Sequence, residues 1–141
     1  MIDQITVFLE NDRGRLAALC RALGDAGISM RALTLADTAS YGVARIIADT
    51  PARAREVLDA AGFRTSLTRV FAVEVPDQAG SLATLLEVFD AAGINVEYAY
   101  CFTVEGGKAI DVLRTDSPLD VGKIIADAGF RTVGPEMLYR E

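Results

Sequence analysis

Apolar residues along the chain switch between two spacings. Ile5, Val7 and Leu9 alternate with polar neighbours, which predicts a strand. Leu16, Leu19, Cys20 and Leu23 then fall at the three-and-four spacing of one helix face. Gly27 follows, where a helix commonly ends on a left-handed residue. Ile28 to Asp37 and Gly42 to Asp49 read as a hairpin turned at Ala39-Ser40-Tyr41. Thr50 and Pro51 mark a second helix start, with a hydroxyl to cap it and a proline where a missing N–H costs little. Ala54, Val57, Leu58 and Ala61 form its inner stripe, Gly62 closes it, and a short strand begins near Phe63.

The same order returns. Phe71, Val73 and Val75 alternate; Leu82, Leu85, Leu86 and Phe89 make a helix stripe that Gly93 stops. Ile94 to Val104 and Ala109 to Thr115 form a hairpin turned by Gly106-Gly107. Ser117-Pro118 starts the last helix, with Val121, Ile124, Ile125 and Ala128 inward, and Thr132 to Tyr139 holds the final strand. Between the halves, Thr65 to Arg69 is a short linker with neither Gly nor Pro, so the halves should be tightly coupled.

The residues repeat as well as the pattern. Asn11-Asp12-Arg13-Gly14-Arg15-Leu16 returns as Asp77-Gln78-Ala79-Gly80-Ser81-Leu82. Ala26-Gly27-Ile28 returns as Ala92-Gly93-Ile94, and Ala61-Gly62-Phe63-Arg64-Thr65 as Ala128-Gly129-Phe130-Arg131-Thr132. The offset of about 66 residues is far too long for a solenoid and suits a small domain. We therefore expect two domains, 1–67 and 68–141. A strand-helix-strand-strand-helix-strand unit folds as a split βαβ. The expected class is α+β: two ferredoxin-like βαββαβ modules, each an antiparallel sheet with helices on one face, the sheets side by side.

Composition narrows the function classes. The formal net charge is −6 and Lys and Arg form no run, which argues against nucleic acid and anionic membrane surfaces. No apolar stretch is long enough to span a bilayer, and the N-terminus lacks a basic segment followed by an apolar one, so the expectation is a cytoplasmic protein. The chain has no histidine, hence no Ser-His-Asp or Cys-His arrangement and no histidine metal site. Its cysteines, Cys20 and Cys101, lack CxxC spacing and read as small buried hydrophobes. RNA recognition needs aromatic residues on the central strands, where Glu74 stands instead. No catalytic residue, metal site or cofactor is expected.

Each module resembles the ACT domain, a small ligand-binding unit of many regulators of amino-acid metabolism. The resemblance rests on the two glycine loops, on Gly27-Ile28-Ser29 and on Gly93-Ile94-Asn95-Val96, and covers nearly the whole chain twice. It implies a stand-alone tandem ACT protein that is not an enzyme. It also implies a free amino acid bound at the module–module seam, between the glycine loop of one module and the second strand of the other. The implied ligand-binding residues are Asn11, Asp12, Arg13, Gly14, Arg15, Leu16, Ser29 and Met30, with Asp77, Gln78, Ala79, Gly80, Ser81, Leu82, Asn95 and Val96.

The loop chemistry has its own physical sense. The first N–H groups of a helix lack partners and favour an anion such as an α-carboxylate. Asp12 or Asp77 can pair with an α-ammonium, and Asn11, Gln78 and Asn95 offer donors and acceptors. The same residues also satisfy turn and capping chemistry without a ligand. The copies differ, Arg13 against Ala79 and Ser29 against Asn95, and the second is the better match for a whole amino acid. The neighbourhood of Leu16, Met30, Leu82 and Val96 favours an apolar, aromatic or imidazole-bearing side chain.

The second strands add further expectations. Ile94, Val96, Tyr98, Tyr100 and Phe102 share one face, read as core beneath the helices, with Tyr98 or Tyr100 lining a pocket as the alternative. Leu33, Leu35 and Phe8 share an uncovered face that suggests a homodimer or docking surface. Glu74, Glu97 and Asp111 read as a solvated acidic face. Three functions follow: an amino-acid sensor, an obligate regulatory subunit of an amino-acid-metabolism enzyme acting by protein contact, and a small enzyme.

Overall fold

The computed structural model describes residues 1–140. It divides into two units. The N-terminal unit comprises Asp3–Thr68 and a C-terminal segment beginning at Leu138. The C-terminal unit comprises Met1–Ile2 and Arg69–Met137.

The N-terminal unit is built from β1 (Ile2–Glu10), α1 (Arg15–Asp25), β2 (Met30–Asp37), β3 (Tyr41–Ala48), α2 (Pro51–Ala60) and the leading part of β4 (Arg64–Pro76). The order across its sheet is β2-β3-β1-β4, antiparallel along β1–β3 and β2–β3. Ile5, Val7 and Leu9 of β1 pack with Ala44, Ile46 and Ala48 of β3 under Leu19 and Leu23 of α1 and Ala54 and Leu58 of α2. Each large apolar side chain buried there contributes about 1.5–3 kcal/mol. Gly27, at φ 71°, ends α1 while Ile28 N donates to Leu23 O.

The C-terminal unit repeats the plan with the rest of β4, α3 (Ser81–Ala91), β5 (Tyr98–Val104), β6 (Lys108–Arg114), α4 (Val121–Asp127), β7 (Arg131–Thr132) and α5 (Pro135–Leu138), which ends at the unit boundary. Its sheet order is β7-β4-β6-β5. Val73, Val75, Leu85, Phe89, Leu113, Val121 and Ile125 form its core. Both units are thus ferredoxin-like βαββαβ modules with helices on one sheet face.

Five local expectations change. The linker expected at Thr65 to Arg69 is continuous strand within β4, because nothing before Pro76 interrupts the ladder. The last strand holds only Arg131–Thr132; Pro135 cannot donate to a ladder and instead opens α5. Ser117-Pro118 forms a turn ahead of α4, whose cap is Asp120 accepting from Lys123 N at 3.1 Å. Thr50 precedes α2 as expected, but its hydroxyl donates to Asp49 Oδ1 at 3.1 Å rather than capping.

The fifth correction concerns faces. The β2–β3 register shifts between Met30 and Ala32, so Arg31 is an inserted residue. Leu33 and Leu35 therefore oppose Ile46 and Ala44 on the helix side, while Phe8 opposes Val43 on the other face. They do not form one patch. The second module has the same kink: Val96 packs into the core, Glu97 N donates to Arg114 O, and Tyr98 also opposes Arg114. Tyr98, Tyr100 and Phe102 consequently lie with Val112 and Ile110, away from the helices. Asp111 opposes core residue Val73, whereas Glu74 opposes Ile110, so Glu74, Glu97 and Asp111 share no acidic face.

Candidate functional site

Both glycine loops have one backbone design. Gly14 and Gly80, each at φ 88°, are the residues preceding α1 and α3. Neither helix receives a side-chain cap hydrogen bond. Glycine takes this conformation at little steric cost; Arg15 N and Ser81 N donate back to Asp12 O and Gln78 O, each at 3.3 Å, and the first-turn N–H groups that follow have no intrahelical partner. Asn11, Asp12, Arg13, Asp77, Gln78 and Ala79 are exposed around the loops, as are Gly14, Gly80 and Leu82; Arg15, Leu16 and Ser81 are half-buried.

In the N-terminal unit, Asn11, Asp12 and Leu16 line a small notch of about 60 Å³ with Leu35 and Asp37 of β2. Ser29 and Met30 do not join it. They follow the far end of α1, whose 11 residues put about 16 Å between its ends. Asn95 and Val96 are separated from Asp77–Leu82 by α3 in the same way. Met30 and Val96 pack against the cores, and Ser29 and Asn95 are exposed.

Asn95 lines a different cleft of about 240 Å³, with Gly93, Glu97, Thr115, Asp116 and Ser117. The corresponding groups in the N-terminal unit are engaged by the chain itself. Arg140 Nη2 donates to Gly27 O at 2.9 Å, Arg140 N to Asp49 O at 2.7 Å, and Arg140 Nε lies 3.6 Å from Asp49 Oδ2. Asp49 also accepts from Ser29 N at 3.2 Å.

Arg15 leaves the loop. Its guanidinium stacks 4.7 Å from the Phe63 ring centroid and its Nε sits 3.8 Å from Glu10 Oε2. It lines a cleft of about 420 Å³ with Phe8, Glu10, Tyr41, Phe63 and Arg64. Apart from Arg15, sequence reading missed this cleft, since its residues come from four separate segments. The repeated Gly-Phe-Arg motif was the available signal.

Two buried or paired acids stand out in the C-terminal unit. Lys108 Nζ lies 2.5 Å from Glu74 Oε1, and Arg131 Nη1 lies 3.9 Å from Oε2. The hydrogen bond from Lys108 lowers the Glu74 pKa against the opposing effect of desolvation, aided by the charges of Lys108 and Arg131. Asp111 is 3% exposed, its Oδ2 has no hydrogen-bond partner, and desolvation raises its pKa. Cys20 packs against the core, whereas Cys101, expected to be buried, is exposed; both are free thiols. Among the described residues, no His, Cys, Asp and Glu group is arranged to hold a metal ion, and no helix is long and apolar enough to cross a membrane.

Comparison with known proteins decides the family. A profile described as an ACT domain pair matches residues 1–138. The chain belongs to that family. The ACT pair is a regulatory, ligand-binding fold. The crystal structure of protein BT0572 from Bacteroides thetaiotaomicron is similar over 99% of this ACT pair and 96% of that chain, at 28% identity and a TM-score of 0.90. The ligand-free regulatory subunit of aspartate kinase from Thermus thermophilus shares the fold over 90% of this chain and 92% of its own, at 18% identity and a TM-score of 0.65. No curated protein matches the ACT pair in sequence.

Proposed function

We propose that this ACT pair is a non-catalytic sensor that binds a free amino acid and passes its occupancy to a partner. The supporting observation is the pairing of an uncapped helix start with the notch beside it. The ligand carboxylate accepts from the first-turn N–H groups of α1 that follow Arg15, whose own N–H donates to Asp12 O. Its ammonium pairs with Asp12 or Asp37, and an apolar side chain lies over Leu16 and Leu35. Asp77, Gln78 and Ser81 at α3 offer a second loop of the same design, with Asn95 available to a ligand bound by another surface. The mechanism is linkage: the ligand favours one conformation and shifts the population by its differential affinity.

A thermal-shift screen over the common amino acids tests this reading. One of them should raise apparent stability by about 2.7 kcal/mol at a hundredfold excess over Kd. Asp12→Ala or Asp77→Ala should weaken the shift. No shift with any amino acid would refute the sensor.

The edge strand supports a second reading, an enzyme's regulatory subunit. Leu33 and Leu35 are 37% and 46% exposed on β2, the outer strand of its sheet. Such a strand and its apolar row suit a second copy or an enzyme partner. Sedimentation of the wild type and of Leu35→Lys distinguishes these: a dimer lost in the variant supports self-association. A monomeric wild type that still captures an enzyme from extract through Leu35 supports the subunit reading.

A further inference from the structure

The two units place different charge at matching positions. Glu74, Lys108 and Arg131 occupy the positions that Phe8, Tyr41 and Arg64 hold in the N-terminal unit. In the C-terminal unit a carboxylate is built in, because Glu74 lies against Lys108 and Arg131. The N-terminal cleft contains Glu10 beside Arg15 but no carboxylate at the position of Glu74. Phe8 replaces it, and the Arg64 guanidinium stands 5.7 Å from the Phe8 ring centroid.

The N-terminal cleft is also left wanting an acceptor. Arg15 Nε is buried without a hydrogen bond, and Glu10 Oε2 at 3.8 Å is beyond hydrogen-bond reach. The Arg15 side chain is 35% exposed where it lines the cleft, so an arriving carboxylate can reach its guanidinium. Two arginines against one glutamate make the cleft locally positive in a chain of net charge −6. Guanidinium groups suit planar carboxylates, and Phe8, Tyr41 and Phe63 supply apolar walls.

We propose that the cleft of about 420 Å³ binds a small organic carboxylate with an apolar body, its carboxylate held by Arg15 and Arg64 as Glu74 is held by its own cations. This cleft shares Leu9 and Glu10 with the neighbouring notch but is lined by none of Asn11, Asp12, Leu16, Leu35 and Asp37, and the proposal stands without the amino-acid reading.

Calorimetric titration of the full chain with phenylacetate tests it, with phenethylamine as the control of opposite charge. Phenylacetate should bind saturably and phenethylamine should not. Phe8→Glu installs the carboxylate found in the other unit and should weaken binding at least about tenfold. Arg64→Gln should weaken it similarly, and serves alone if circular dichroism shows Phe8→Glu unfolded. No saturation by about 10 mM, equal binding of the amine, or full affinity in a folded Phe8→Glu or Arg64→Gln protein would overturn the proposal.

Discussion

Arg140 lies against Asp49, with its Nε 3.6 Å from a carboxylate that is 2% exposed. The contact ties the segment after α5 to the N-terminal unit, beside Gly27 and Ser29. Arg140→Ala should cost about 1–2 kcal/mol, measured by urea unfolding, because Asp49 keeps its bonds from Ser29 and Thr50. In the Asp49→Asn background the same change should cost less. Equal costs in both backgrounds would show that the charge pair contributes nothing.

Glu74 predicts a pH dependence. Its pKa is lower folded than unfolded, so its stabilisation is present above the unfolded carboxylate range and is lost as pH falls through the folded value. Glu74→Gln should be less stable than wild type at neutral pH. The two unfolding curves should converge as the solution is acidified below the carboxylate range.

Asp111 predicts the opposite slope. Burial raises its pKa, so the folded protein holds the proton more tightly and stability falls as pH rises from the ordinary carboxylate range through the raised value. The N-terminal unit has Ala44 at this position, opposite Val7 as Asp111 is opposite Val73. Asp111→Asn should be more stable than wild type at neutral pH, with the advantage vanishing in acid. A destabilised variant at neutral pH would show that the carboxylate is structurally required.

Two glycines separate backbone strain from packing. A Cβ on Gly80 or on Gly24 meets nothing within 4 Å. Gly80 has φ 88°, so Gly80→Ala should cost about 1–2 kcal/mol. Gly24 lies inside α1 without a positive φ, so Gly24→Ala should stabilise by about 0.5–1 kcal/mol. Thermal unfolding of the two variants should shift in opposite directions.

Most of the architecture was legible because it is local. The alternation of Ile5, Val7 and Leu9 and the stripe of Leu19 and Leu23 mark buried faces that any tertiary arrangement must cover. The repeat identified the module twice over. The strand faces were less legible: a single inserted residue at Arg31 reverses every side chain beyond it, and simple counting runs straight through it.

The sequence by itself determined the α+β class, the two modules and the left-handed helix stop at Gly27, because periodicity and glycine conformation are properties of short segments. Only the tertiary structure decided which side chains meet. It turned Arg15 from the loop toward Phe63, brought Arg140 to Asp49, and set Phe8 where the other unit has a paired carboxylate. Contacts between residues distant in sequence depend on register and chain path, and no local pattern encodes them.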